Sequence, residues 1–138
     1  MLRLASRFVA RSPFARFVCY DPEIARDSIL ALVDRGAAFV MVVGDEIVGA
    51  IIGSVTVPWF SRDLIAAELG WWVDPDHRGH GNELRRQFEE WAKAMKAEVV
   101  VMSDVVLDDA TPAGTLYERA GYEMVERSWI KGVQPWRQ

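Results

Sequence analysis

Residues 76–84 read DHRGHGNEL and follow the apolar run ELGWWV at 68–73 after Asp74-Pro75. The fold turns on this stretch, which is either a loop shaped to hold an anion or a tight turn before the next helix. The first N–H groups of a helix lack intrahelical partners and carry the positive end of its dipole, so that end attracts negative charge. Gly79 and Gly81 let the backbone approach a bulky phosphate, and Arg78 can add a forked, charge-assisted contact. A lone Gly-x-Gly also serves simply to turn a strand into a helix, and alone it does not separate the two readings.

The flanks give the loop its setting. Downstream, Leu84, Phe88, Trp91, Ala92 and Met95 form one apolar stripe at helical spacing, which predicts a long helix starting just after the glycines. Upstream, IAAELGWWV (65–73) reads as a strand, and AAFVMVV (37–43) and IVGAIIGSVTV (47–57) flank a short Gly44-Asp45-Glu46 turn, as in an antiparallel hairpin. Asp21-Pro22 caps a helix whose inner positions are Ala25, Ile29, Leu32 and Val33 and which Gly36 stops. EVVVMSDVVL (98–107) is nearly continuous in β-branched and apolar residues, as expected of a central strand covered on both faces. Thr111-Pro112 starts a further helix ended by Gly121, and YEMVERSWIKGV (122–133) returns to alternation, as one long strand or two with a bend.

The first twenty residues carry Arg3, Arg7, Arg11 and Arg16 and no acid before Asp21, a pattern shared by transit peptides and by amphipathic helices. The helical reading puts Leu2, Phe8 and Val9 toward the core and the arginines on a solvated face, with a break at Ser12-Pro13. The element order is then helix, helix, three strands, helix, strand, helix, strand. That order predicts one α/β domain over residues 1–138, a mixed central sheet flanked by helices.

Composition narrows the function. A chain of 138 residues, 51% apolar and 26% charged, can bury a core. A net charge of -4 argues against a nucleic-acid or membrane partner, which usually demands a cationic face. Cys19 alone cannot form an internal disulfide, and no apolar run approaches the ~20 residues that span a bilayer. The expectation is a cytoplasmic chain. His77 and His80 lack Cys or further His partners, so no metal site is expected.

A second stretch, GTLYERAGY at 114–122, gives the loop its meaning. With WWVDPDHRGHG it resembles the GNAT superfamily of acyl-CoA-dependent N-acetyltransferases, in particular the small GNAT-like proteins of tailed phages, over roughly residues 24–131. Val73, Pro75, Arg78 and Gly81 match the family's phosphate-loop pattern, and Leu116, Tyr117, Glu118, Arg119, Gly121 and Tyr122 match its Leu-Tyr-Glu-Arg/Lys-x-Gly-Phe/Tyr segment. If Arg78 opens the loop, Glu83 falls where the family has a small residue; if Gly79-His80-Gly81 is the Gly-x-Gly, Asp76 replaces the Arg/Gln, and the helix register favours this second alignment. The family's asparagine before the Tyr-bearing helix falls near Ala110, and its first strand is missing.

The resemblance implies acetyl transfer from acetyl-CoA, a cosubstrate, to an amine acceptor. It also implies cofactor contacts from the backbone of Trp72 and Val73 and from Arg78, Gly79, His80, Gly81 and Asn82, with Tyr117 as the proton donor to the leaving sulfur. Glu68 is the expected base, at the start of its strand, and alternation puts Gly70 and Trp72 on its face. The rival expectation is a catalytically decayed GNAT-fold phage assembly or binding protein. The absent strand leaves an edge at AAFVMVV that a homodimer would cover, unless its brevity protects it.

Overall fold

The computed structural model describes residues 1–106 and 113–133. Helix α1 (Leu2–Arg11) is followed by a 3-10 turn (Pro13–Arg16) and helix α2 (Pro22–Asp34). Strands β1 (Ala38–Val43), β2 (Glu46–Thr56) and β3 (Ile65–Val73) lead through a 3-10 turn at Pro75–His77 into helix α3 (Asn82–Ala94). A short β4 (Val99–Val101) and helix α4 (Gly114–Arg119) complete the described elements.

Local chemistry accounts for most boundaries. The Asp21 carboxylate accepts from the N–H groups of Glu23 and Ile24, with Pro22 in the first helical position, and α2 ends at a left-handed Gly36. The four strands lie in sequence order, β1/β2 and β2/β3 antiparallel and β3/β4 parallel, so the sheet is mixed as expected.

Irregular pairing in β3 decides which side chains share a face. Ile52 pairs with Gly70 and Gly53 with Glu68, so Leu69 has no opposite residue and β3 bulges by one position. On one face Ile51, Ala66, Leu84, Phe88 and Ala92 form a cluster with Trp71 and Val73 packed on it. Trp72 lies on the other face with Leu4 and Ala50, against Phe8 and Ile47. Before the bulge Ala66 and Glu68 lie on the α3 face; after it Trp71 and Val73 do. Simple alternation, which put Glu68 on the face of Trp72, fails for this reason. Phe88 is fully buried and lies over Gly53, where a Cβ would stand 2.4 Å from its ring, so only glycine fits opposite Glu68.

Three further expectations change. In α1 the inward residue is Leu4, with Phe8 one turn on, whereas Leu2 is exposed; Arg3 and Arg7 do not sit on a free face but reach Asp74 at 2.8 and 2.9 Å. The amphipathic-helix reading of these residues is thus the one the fold uses, although Val33 of α2 stays half exposed. The run 98–107 gives a strand of three residues, last in the described sheet rather than central, with Val99 and Val101 partly exposed. Residues 122–133 form no strand, because alternation needs a neighbouring edge and no described strand pairs with them. Thr111, Pro112 and Ala110 lie outside the described residues. Among the described residues no helix is long and apolar enough to cross a membrane.

Asp74, just past β3, ties α1 to the sheet. Burial opposes its charge, but hydrogen bonds from Trp72 Nε1 (3.0 Å), Arg3 and Arg7 prevail and hold its pKa at about 2, below the ordinary 3.8. A lowered carboxylate pKa stabilises the fold above the unfolded-state value, and that stability is lost as pH falls toward the folded one. Asp74 should therefore contribute on the order of 2 kcal/mol at neutral pH, lost between about pH 4 and pH 2. Urea titrations of wild type and Asp74→Asn should show a large gap at pH 6 that closes toward pH 2.

Candidate active site

Strands β3 and β4 part beyond Ala67. Their ladder covers only Ile65–Ala67 against Val99–Val101, so β3 beyond Ala67 has no β4 partner. Two residues past β4, Ser103 takes over the link: its N–H donates to Glu68 Oε2 at 3.1 Å, and its carbonyl accepts from Tyr117 Oη at 2.8 Å. The backbone of one residue thus holds the two titratable groups singled out in the sequence. Glu68 reaches Ser103 because the bulge turns it to the α3 face.

Asp104, next in the chain, accepts from the N–H groups of Ala113 and Gly114, both at 3.0 Å, and so fastens the start of α4. Tyr117 is buried there, its ring 6.0 Å from that of Trp71 and 5.6 Å from that of Tyr122. Tyr122 Oη donates to Glu89 Oε1 at 2.6 Å, and the same carboxylate oxygen accepts from the buried Arg85, whose Nε also donates to Asn82 Oδ1 at 2.9 Å. These bonds join the first turn of α3 to the chain just after α4.

The electrostatics follow from burial. Desolvation pushes the Glu68 carboxyl up to about 7, and the Ser103 N–H offsets only part of that cost. Burial, with the nearby Glu68 and Asp104 charges, pushes Tyr117 well above the ordinary phenol range, so it holds its proton at neutral pH. Burial and the bond to Glu89 raise Tyr122 likewise.

The loop lies at the far end of β3. Gly79 is left-handed at φ +95° and Gly81 caps α3, with the loop's Arg78, Gly79 and His80 exposed. A Cβ on Gly81 would stand 3.1 Å from Val73 and 3.2 Å from Trp71, so the helix start sits tight on the strand end. Val73, Gly81 and Asn82 are thus brought together. Trp72 belongs to the same strand end, but its side chain points to the α1 face, locked by Asp74. His77 and His80 line a groove of about 390 Å³ between α3 and β1, on the side of Met41 and Val43.

Ser103, Asp104, Arg85 and Glu89 drew no attention in the sequence. A signal existed for the first two: small polar residues interrupt an otherwise apolar run. Arg85 and Glu89, at i and i+4 beside the apolar stripe, look like an ordinary surface pair until burial is known.

The arrangement, a mixed sheet parting beside a glycine-bearing helix start, is that of an acyltransferase class. The chain belongs to the acetyltransferase (GNAT) family, whose family model matches residues 4–122. It is similar in fold to an aminoglycoside acetyltransferase from an uncultured soil metagenomic sample (TM-score 0.67, 18% identity, 97% of this chain and 90% of that one). The aminoglycoside antibiotic 6'-N-acetyltransferase AAC(6')-IG of Acinetobacter haemolyticus is similar at TM-score 0.61 and 15% identity, over 96% of this chain and 94% of that one. AAC(6')-Iy in complex with the bisubstrate analog CoA-S-monomethyl-acetylneamine matches at TM-score 0.56 and 16% identity, over 79% and 80% of the two chains. No curated protein matches the sequence.

The raised pKa of Glu68 has a sign opposite to that of Asp74. A carboxyl whose folded pKa lies above its unfolded value penalises folding once it must ionise, so the penalty is absent below about pH 4.5 and complete above about 7. Its size is on the order of 3 kcal/mol. Glu68→Gln keeps an acceptor for Ser103 and removes the charge, and it should be more stable than wild type at pH 8 but not at pH 4. Chemical denaturation at the two pH values checks this.

Proposed function

We propose that the chain transfers an acetyl group from acetyl-CoA to an amine acceptor, with Glu68 as base and Tyr117 as acid. The observation that carries this reading is the Ser103 backbone, which holds a carboxyl with a pKa near 7 and a protonated phenol where β3 and β4 part. Family membership and the fold shared with named acetyltransferases support it, one of them in complex with a CoA-based bisubstrate analog.

The residues present fit the cosubstrate. The exposed Arg78–Gly79–His80 turn opens directly onto the first N–H groups of α3, and glycine at 79 leaves open space where a side chain would stand. Arg78, the backbone of Gly79, His80, Gly81 and Asn82, and that of Trp72 and Val73 would hold it. Bound acetyl-CoA supplies an acyl carbon activated by a thioester.

Each protein group then has one task. Glu68, ionised in about half the molecules near pH 7, takes a proton from the attacking amine nitrogen. The new carbon–nitrogen bond forms as the carbon–sulfur bond breaks, and the departing thiolate needs a proton. Tyr117 supplies it by turning its hydroxyl hydrogen away from the Ser103 carbonyl, and its raised pKa makes the phenolate recover a proton readily from Glu68 or solvent. The acceptor is a neutral amine; aminoglycosides, named for two of the similar structures, are the first class to assay.

Two measurements test the reading. Acetyl-CoA at ~100 times its dissociation constant should stabilise the chain by about 2.7 kcal/mol in a thermal shift, and Arg78→Glu should weaken binding at least several-fold. With a competent amine, turnover should rise with pH through about 7 and then level, following ionisation of Glu68. Glu68→Gln should remove that limb, and Tyr117→Phe should lower kcat by ~100 to 10,000-fold with acetyl-CoA affinity nearly unchanged. A chain that binds no acetyl-CoA under any of these conditions is instead a catalytically decayed binding or assembly protein of the same fold.

A further inference from the structure

Trp71 carries a polar group that the described fold buries without a partner. Its Nε1–H is shielded from solvent, yet no described residue accepts from it. A buried donor left unpaired costs about 1–3 kcal/mol, so such groups call for an explanation. The tryptophan next to it shows the contrast: Trp72 Nε1 donates to Asp74 at 3.0 Å.

The position of the orphan donor is specific. The bulge places Trp71 on the α3 face, and the ring edge bearing the nitrogen is the one turned toward Gly81, since Cζ2 and Cε2 are the atoms a Cβ there would meet at 3.2 and 3.6 Å. Gly81 is the N-cap of α3. The neighbouring Tyr117 ring does not use the donor, because a 34° tilt between the rings is far from the near-perpendicular approach that an N–H aimed at a ring face needs. The indole N–H therefore sits near the start of α3, where Glu83 N–H donates to the His80 carbonyl at 3.4 Å and the turn at Gly79 and His80 is exposed. Gly79 is left-handed, and nothing lies within 4 Å of its Cβ position.

We propose that Trp71 Nε1–H is a ligand donor, binding an oxygen of the CoA-type cosubstrate where it passes the start of α3. The inference rests on the cosubstrate reading above and adds to it a side-chain contact. The acceptor is a phosphate or amide oxygen. Binding moves the Gly79–Gly81 turn aside and gives the donor its partner, so the cost carried by the free protein becomes affinity in the complex.

Trp71→Phe keeps an aromatic ring and deletes the donor. In calorimetry it should weaken CoA binding about 10-fold. The unliganded variant should melt close to wild type, because loss of the unpaired donor offsets loss of ring area; a residue with only a packing role would show the reverse, lower stability and unchanged affinity. ADP, which has the pyrophosphate without the pantetheine arm, locates the acceptor. Weakening toward ADP as well puts it on the pyrophosphate, and weakening toward CoA alone puts it on a pantetheine amide. Should the variant not fold, the wild-type chain decides by NMR, where the Trp71 indole proton should move downfield on saturation with CoA. A wild type that binds neither CoA nor acetyl-CoA overturns the cosubstrate reading and this inference together. Binding with the indole resonance unmoved, or equal affinity in the Phe variant, overturns this inference alone.

Discussion

One extra residue in β3 sets the geometry of everything around it. With strict alternation, Glu68 would share a face with Trp72 and lie under α1, far from α4. The bulge at Leu69 moves Glu68 onto the α3 face with Trp71, and leaves Trp72 to pack with Leu4 and Ala50. A bulge sharpens twist and ends regular pairing, and here the parallel ladder to β4 stops just before it. The same irregularity thus accompanies the end of the parallel ladder and turns a carboxylate toward Ser103.

Two buried carboxylates near this strand meet opposite fates, and the donors around each decide which. Asp74 is surrounded by an indole N–H and two guanidinium groups, enough to outweigh its lost hydration. Glu68 receives only the neutral N–H and side-chain hydroxyl of Ser103, which do not. Charge-assisted hydrogen bonds are roughly twice as strong as neutral ones, so the difference in partners suffices to send one pKa down and the other up. Asp74 anchors, and Glu68 is left with a pKa of about 7.

Ser103 and Asp104 do with two residues what a longer β4 would do with a ladder. Ser103 bonds Glu68 on one side and Tyr117 on the other, while Asp104 secures the start of α4. The bonds from Tyr122 to Glu89 and from Arg85 to Glu89 and Asn82 brace the end of α4 against α3. Tyr117 and Trp71 are packed within this frame, which explains how a six-residue helix, too short to be stable alone, holds its tyrosine in a fixed place.

Much of the frame was legible along the chain. The Asp21-Pro22 cap, the hairpin about Gly44, the stripe from Leu84 to Ala92 and the glycines before it rest on local rules of dihedral freedom, capping and periodicity, and each appears where it was expected. Apolar content could not say whether 98–107 or 122–133 would find a neighbouring strand, because pairing is a property of two segments. Nor could the sequence reveal the bulge: a period of two, once broken, reverses the face of every later residue, and nothing in ELGWWV marks the break. The sequence by itself determined the elements from α1 to α3, their order and the kinds of side chain available at the site. The tertiary structure alone decided that Glu68 and Tyr117 meet on one residue's backbone, that Asp74 gathers two distant arginines, and that Trp71 rather than Trp72 packs on the α3 face. Those outcomes depend on burial and on contacts between residues up to 71 positions apart, which no local pattern encodes.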